Sequence, residues 1–316
     1  MKTIVTLTMN PAIDMFLETP RLVPDRRLPS VPPAYGPGGG GISVSRAIAR
    51  LGGTSTALFP AGGRIGEFLN SLMQRESIPV SLVPIDGETR QNVNIRERTT
   101  GNEYRLVVPG AELAREEWEQ CLRALESIHP EPDYVVASGS LPPGPPVDFY
   151  ARVAALAVRK GFRLIVDTAG EPLRHAATAG TYLLKPNLGE LAVLSGGVLT
   201  ETLIEGAARS IVAADRAKVV VVSAGSGGAL LVDANGVERF ASPIVPIVSR
   251  IGAGDSMVAG IVVALARGWA VEDAVEFGVA AGAAAVMTAG HELCRREDAE
   301  MLFERMHTRR AELVAH

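Results

Sequence analysis

Seven consecutive residues, Arg250-Ile251-Gly252-Ala253-Gly254-Asp255-Ser256, place an anion-binding turn beside a carboxylate at the mouth of an apolar stretch. Glycines at 252 and 254 permit a tight turn, so the unpaired N–H groups of a helix start can point at a phosphate. Asp255 would then stand where an incoming alcohol lies, and the chemistry suggested is phosphoryl transfer. Met257, Val258, Ile261, Val262 and Leu265 follow at helical spacing and form one apolar stripe. An ordinary helix start decorated by Asp255 is the alternative.

Other runs could serve the same chemistry. Lys185-Pro186-Asn187-Leu188-Gly189-Glu190 follows a strand-like stretch, so a cation, an amide and a carboxylate reach the strand-end edge where open α/β sheets bind ligands. Asn187 and Glu190, three apart, could face a hydrated Mg²⁺ or could form a capping box. Ser223, Gly225 and Gly227 lie in a glycine-rich turn that permits close passage of a base and ribose, or is a plain hairpin turn. Asp14 follows the first strand and would grip sugar hydroxyls from that sheet edge. Arg90 and Arg105 flank a predicted hairpin and suit a phosphomonoester already on the substrate, although an arginine by itself is more often solvated surface. Ser138-Gly139-Ser140 ends another strand and offers hydroxyl and N–H donors.

Two nucleotide motifs are excluded. Gly36-Pro37-Gly38-Gly39-Gly40-Gly41 satisfies G-x-G-x-x-G, but prolines 29, 32 and 33 precede it and no acidic residue ends the next strand, so a dinucleotide site fails on context. The run still implies close approach to the backbone, by a sugar for instance, or is only a flexible loop. No G-x-x-x-x-G-K-[ST] occurs, which removes a P-loop.

The elements that must position these residues alternate. Strands are expected at 3–8, 56–59, 134–137, 163–167, 182–184 and 219–223, with helices at 42–51, 65–75, 114–125, 147–160 and 202–214. That is the pattern of a mostly parallel sheet covered by helices on both faces. Segments 15–35, rich in proline, and 90–108, alternating apolar and polar, break the alternation; they read as a small β-sheet lid or as long surface loops. Residues 279–289 are nearly all Ala, Gly and Val, a thin helix for tight packing or for contact with adenine.

Bulk properties narrow the partners. With 31 Lys+Arg against 35 Asp+Glu the net charge is −4, which argues against nucleic acid and anionic membranes and for small molecules. Only Cys121 and Cys294 occur and they stand far apart, so neither zinc nor a disulfide framework is expected and a reducing cytoplasm fits. The N-terminus reads as a strand and not a signal peptide. The longest uncharged apolar stretch, 277–287, is too short for a bilayer.

Taken together, GPGGGGIS at 36–43, FPAGG at 59–63, SGSLPPG at 138–144, KPNLGEL at 185–191 and IGAGDSM at 251–257 resemble the phosphofructokinase B group of ribokinase-like carbohydrate kinases. The resemblance spans almost the whole chain. TRQN at 89–92 and EYRLVVPGAEL at 103–113 look most like its minor bacterial ATP-dependent 6-phosphofructokinases. It implies one ribokinase-like domain over 1–316, a three-layer α/β sandwich with a β-sheet lid, working as a homodimer through the lid. It also implies transfer from ATP, with Mg²⁺, to the C1 hydroxyl of fructose 6-phosphate. Kinases of fructose 1-phosphate, tagatose 6-phosphate or another sugar, and a sugar-phosphate-binding protein that lost turnover, are the alternatives.

By position, the resemblance makes Asp255 the general base and Gly252, Ala253 and Gly254 the anion hole. Asp14, Gly39, Gly40 and Ser138 fall to the sugar side, with Arg90 and Arg105 near its phosphate. Lys185, Asn187, Ser223, Gly225 and Gly227 fall to ATP, and Asn187 and Glu190 to Mg²⁺ through water. Two positions depart from the pattern. Ser43 stands where asparagine is usual, and Arg27 where the minor phosphofructokinases carry a lysine near the sugar phosphate.

Overall fold

A computed structural model describes residues 1–197 and 200–314. Its main sheet has nine strands. β1 (Ile4–Leu7), β4 (Thr56–Ala61), β5 (Val80–Pro84), β8 (Tyr134–Ser138), β9 (Arg163–Asp167), β10 (Thr181–Leu184) and β11 (Ala217–Ser223) run parallel, and β12 (Ala229–Val232) and β13 (Val237–Phe240) close one edge antiparallel. The spatial order is β13-β12-β11-β10-β9-β8-β1-β4-β5. The order in which strands are added therefore reverses between β1 and β8, and the crevice beyond their carboxyl ends is the place for a ligand.

Strand residues alternate between two cores with a period of two. Ile4, Tyr134, Val136, Ile165, Leu183, Val219 and Val221 face one side, while Val5, Val135, Ala137, Leu164, Val166, Val220 and Val222 face the other. The first face is covered by α1 (Gly40–Arg50), α8 (Ala253–Ala266), α9 (Val271–Val286) and α10 (Arg296–Val314). The second is covered by α3 (Arg115–Ser127), α4 (Phe149–Lys160), α5 (Gly170–Thr178), α6 (Leu188–Ser195) and α7 (Glu201–Ala213). These layers give the expected sandwich. Among the described residues no helix is long and apolar enough to cross a membrane.

The apolar stripe after Asp255 understates the burial of α8, for every residue from Ser256 to Ala266 is buried. The small residues of α9 are what permit this: a Cβ on Gly260 would lie 2.9 Å from Gly278 Cα, and one on Gly278 would lie 2.8 Å from Met257 O. The Ala-rich stretch thus serves helix packing.

A second sheet, in the order β3-β2-β6-β7, combines β2 (Ala12–Thr19), β3 (Ala34–Gly38), β6 (Arg90–Glu97) and β7 (Glu103–Leu106). The hairpin from 90 to 108 forms as its alternation predicts. The earlier segment differs: β2 begins at Ala12, three residues before the expected start, and 20–33, which holds the prolines, contains no strand. Ile13 at the base of β2 is fully buried against α2 (Gly63–Arg75) and β4, while all of β7 is exposed. Such a sheet has little core of its own and hangs from the main body at one end.

Candidate active site

A cavity of about 310 Å³ opens beyond the ends of β1 and β8, between the main sheet and the second sheet. Asp14, Gly39, Gly40, Ser43, Arg90, Arg105, Gly252, Gly254 and Asp255 all line it. A larger hollow, about 560 Å³, lies at α6 and α7, but its described lining is Leu188, Ala192, Val193, Ile204 and three glycines, with no group able to move a proton.

Gly252 caps α8 in the left-handed region, φ 78°, and a Cβ there would collide with Leu293. The first intrahelical bond runs from Ser256 N to Gly252 O at 2.8 Å, which leaves the amides of Ala253, Gly254 and Asp255 without a carbonyl from a preceding turn. Among the described residues, nothing beyond its own helix and chain neighbours lies within 4 Å of the Cβ position of Gly254, so an anion can reach those amides from the cavity.

The Asp255 carboxyl is pushed up to about 7, first by burial and then by the negative charge of Asp167; Lys185 and Arg105 oppose the shift. The residue keeps an edge at the cavity wall, so contact with water softens that rise. Lys185 is 5 % exposed and its Nζ lies 3.0 Å from Asp167 Oδ1. Burial alone would lower the lysine, but Asp167, Glu190 and Asp255 outweigh it and hold the ammonium charged.

Asp14 does not stand at the main sheet edge as the sequence suggested. It lies inside β2, opposite Gly36 on one side and Asn92 on the other, because the chain turns into the second sheet immediately after Pro11. Its Oδ1 accepts from Asn92 Nδ2 at 2.8 Å, and Asn92 Oδ1 in turn accepts from Val108 N at 3.1 Å. Arg90 donates through Nη1 to Val108 O and through Nη2 to Asn10 O, both at 2.9 Å, while its buried Nε–H has no partner among the described residues. Part of its fork therefore already holds backbone. Arg105 shares the cavity from β7.

The glycine run reaches the cavity at Gly39 and Gly40, and it is also closely packed from within. The protein's own atoms approach it: a Cβ on Gly40 would come within 2.6 Å of Gly139 N, and one on Gly41 within 2.7 Å of Leu7 O. Ser138 is buried below Gly40, with Oγ 3.5 Å from Asp167 Oδ2.

Asn187 and Glu190 form the capping box of α6. Asn187 N donates to Glu190 Oε2 at 2.8 Å and Glu190 N to Asn187 Oδ1 at 2.9 Å. Ser223 bridges to Asn187, and Gly225 and Gly227 form a short 3₁₀ turn after it; none of these lines the cavity around Asp255. Arg27 is exposed in the segment between β2 and β3 and does not reach the cavity within one chain.

Sequence reasoning missed Asp167, Asn92, Asn10 and Arg46. A signal existed for Asp167, the acid that ends the apolar run Leu164-Ile165-Val166 of β9, and for Asn92 in the polar register of the hairpin. A further group with ligand spacing, Asp273, Glu276 and His307, is already filled by Arg310, whose guanidinium lies 2.7 Å from Glu276 and 3.1 Å from Asp273.

Residues 10–298 match the pfkB family of carbohydrate kinases. The chain is 45% identical over 302 residues to the ATP-dependent 6-phosphofructokinase isozyme 2 of Mycobacterium tuberculosis, covering 95% of this chain and 89% of the relative. The crystal structure of phosphofructokinase-2 from Escherichia coli in complex with fructose-6-phosphate superposes with a TM-score of 0.91 at 41% identity, over 97% of this chain and 99% of that one. A ribokinase from Thermotoga maritima, 23% identical over 96% of this chain and all of that one, shares the fold at a TM-score of 0.76. Both the layered fold with its second sheet and the matched sequence place this chain in the pfkB family of carbohydrate kinases.

Proposed function

We propose that this chain is an ATP-dependent 6-phosphofructokinase, a single kinase domain with a lid, which moves the γ-phosphoryl group of ATP to the C1 hydroxyl of fructose 6-phosphate. One observation carries the reading: the carboxyl of Asp255, raised by burial, shares a cavity wall with a helix start whose first amides are unpaired, together with a second carboxylate and two guanidinium groups.

Asp14 holds sugar hydroxyls, with Gly39, Gly40, Ser43 and Ser138 shaping that side of the crevice. Arg90 and Arg105 neutralise the phosphate already on the sugar. Asp255 accepts the C1 hydroxyl proton as the new O–P bond forms and the bond from phosphorus to the β-phosphate oxygen breaks. Negative charge gathers on the equatorial phosphoryl oxygens, where the amides of Ala253, Gly254 and Asp255 await it without rearrangement. Lys185 stabilises the phosphate chain, and Ser223, Gly225 and Gly227 form the wall along which the nucleotide lies.

Mg²⁺ travels with ATP and neutralises its phosphates. The chemistry at α6 fits it, since Glu190 Oε1 has no protein donor among the described residues and can accept from metal-bound water, as can Asn187. The chain works as a homodimer in the cytoplasm: Tyr35, Tyr104, Leu106, Val107 and Val108 expose apolar surface on the lid, which a second lid would cover, and both cysteines are free and buried.

A related specificity, for fructose 1-phosphate, tagatose 6-phosphate or another sugar, draws support from Ser43 in the cavity and Arg27 outside it. A coupled ADP-release assay over a panel of sugars and sugar phosphates with MgATP tests both readings. The highest kcat/KM is expected for fructose 6-phosphate. A different sugar at the top moves the assignment to the related specificity, and no ADP release with any sugar returns it to a binding protein.

A further inference from the structure

Arg46 is a cation that phosphoryl transfer leaves unused. It projects from α1 one turn beyond Ser43 and lines the same cavity, with a side chain 7 % exposed. Its Nε lies 2.9 and 3.0 Å from the two carboxylate oxygens of Glu76, and its Nη2 donates to Glu76 Oε1 at 2.7 Å. Glu76 caps the end of α2. Two further donors go to backbone: Nη1 to Pro37 O and Nη2 to His291 O, both at 3.1 Å.

Three segments thus meet on one guanidinium. Pro37 belongs to β3, the strand paired with β2 and therefore with Asp14. His291 belongs to the loop after α9, and that loop braces the start of α8: a Cβ on Gly290 would lie 2.7 Å from Ile251 Cβ, and Leu293 packs against Gly252. The His291 ring also lies 5.4 Å from the Phe16 ring of β2. One side of the fork holds the sheet that carries the sugar contacts, and the other holds the loop that fixes the helix tip of Asp255.

We infer that the Arg46–Glu76 pair is a positioning strut that sets the lid against the α8 N-terminus, and thereby the alignment of acceptor and base. Glu76 fixes the plane of the guanidinium, so that its two outer nitrogens each face a carbonyl. A lysine would keep the charge but could not bridge both carbonyls in that plane. The consequence for turnover rests on the kinase reading above; the mechanical coupling does not.

Arg46→Lys and Glu76→Gln test it, each compared with the parent by steady-state kinetics, thermal unfolding and hydrogen exchange. In Arg46→Lys, exchange should accelerate together in segments 34–39 and 289–293. Its kcat should fall at least about tenfold, as misalignment of a bound acceptor predicts, while KM for MgATP stays within about twofold. Glu76→Gln, at a half-buried site, should move both readouts the same way by less, and it carries the test should Arg46→Lys fail to fold. Unchanged exchange in the two segments would overturn the strut, as would exchange that rises uniformly with a lowered unfolding temperature. A parent without sugar-phosphate kinase activity would sink the functional reading alone, leaving the exchange data to decide the strut.

Discussion

The carboxylate of Asp14 occupies the space that a side chain at Gly38 would need: a Cβ built there lies 2.6 Å from Asp14 Cγ. What stands in the way is the far end of a flexible side chain. A Gly38→Ala protein should therefore fold, but with Asp14 swung off its bond to Asn92. KM for the sugar phosphate should rise by about tenfold or more, the effect of losing a charge-assisted contact, with KM for MgATP unchanged. Gly40→Ala meets backbone at Gly139 and Ser138 instead, so it should lower the unfolding temperature before any kinetic change appears. Steady-state kinetics and thermal melts on the two variants separate these outcomes.

Asp255→Asn should lose about a hundredfold to ten-thousandfold in turnover, the usual value of a positioned base. It should also gain stability. The folded carboxyl binds its proton more tightly than the unfolded one, so the parent loses stability as pH rises from the ordinary carboxylate range through about 7. The asparagine escapes that loss. At pH 8 its unfolding free energy should exceed the parent's by at least about 1 kcal/mol, and the gap should vanish below about pH 4. Denaturant titrations at the two pH values check the sign.

The parts of this site readable in the sequence are those that local rules dictate. Gly252 to Ser256 suggests a helix start with free amides, and the spacing of Asn187 and Glu190 admits a capping box beside the metal reading; helix start and capping box are short-range patterns that the structure contains. Strand alternation gave the parallel sheet for the same reason. Long-range contacts left no such trace. Arg46 reads as an ordinary polar position of an amphipathic helix, and its partners lie 30 and 245 residues away. The placement of Asp14 depended on where β1 ends and β2 begins, a boundary that composition does not mark. Helix α5 and strand β5 escaped notice because each is short and carries a proline, Pro172 and Pro84, which reads locally as a break.

With the base required in its ionised form, kcat/KM for the free enzyme should rise with pH through an acid limb near 7 and then level off. The phosphate on the sugar titrates with a pKa of about 6 and must be corrected for. A limb that remains in the ordinary carboxylate range after this correction would remove Asp255 from the role of base.

After burial, Asp167 contributes most to that limb, without lining the cavity. Its charge is the largest neighbouring influence that raises the Asp255 carboxyl, and its Oδ1 also ties down the Lys185 ammonium. In Asp167→Asn both effects reverse together: a repelling charge disappears, and the lysine's positive charge acts on Asp255 without a competing partner. The acid limb of kcat/KM should move to lower pH. The cost falls on folding, because Lys185 is left as a buried cation with its ion pair broken, a loss of about 3–5 kcal/mol where no other group replaces the partner. Relief of the repulsion at Asp255 offsets part of this only above the Asp255 titration, where that carboxylate is charged. The variant's stability deficit should accordingly be larger at pH 5 than at pH 8, a trend that chemical denaturation at the two pH values measures directly.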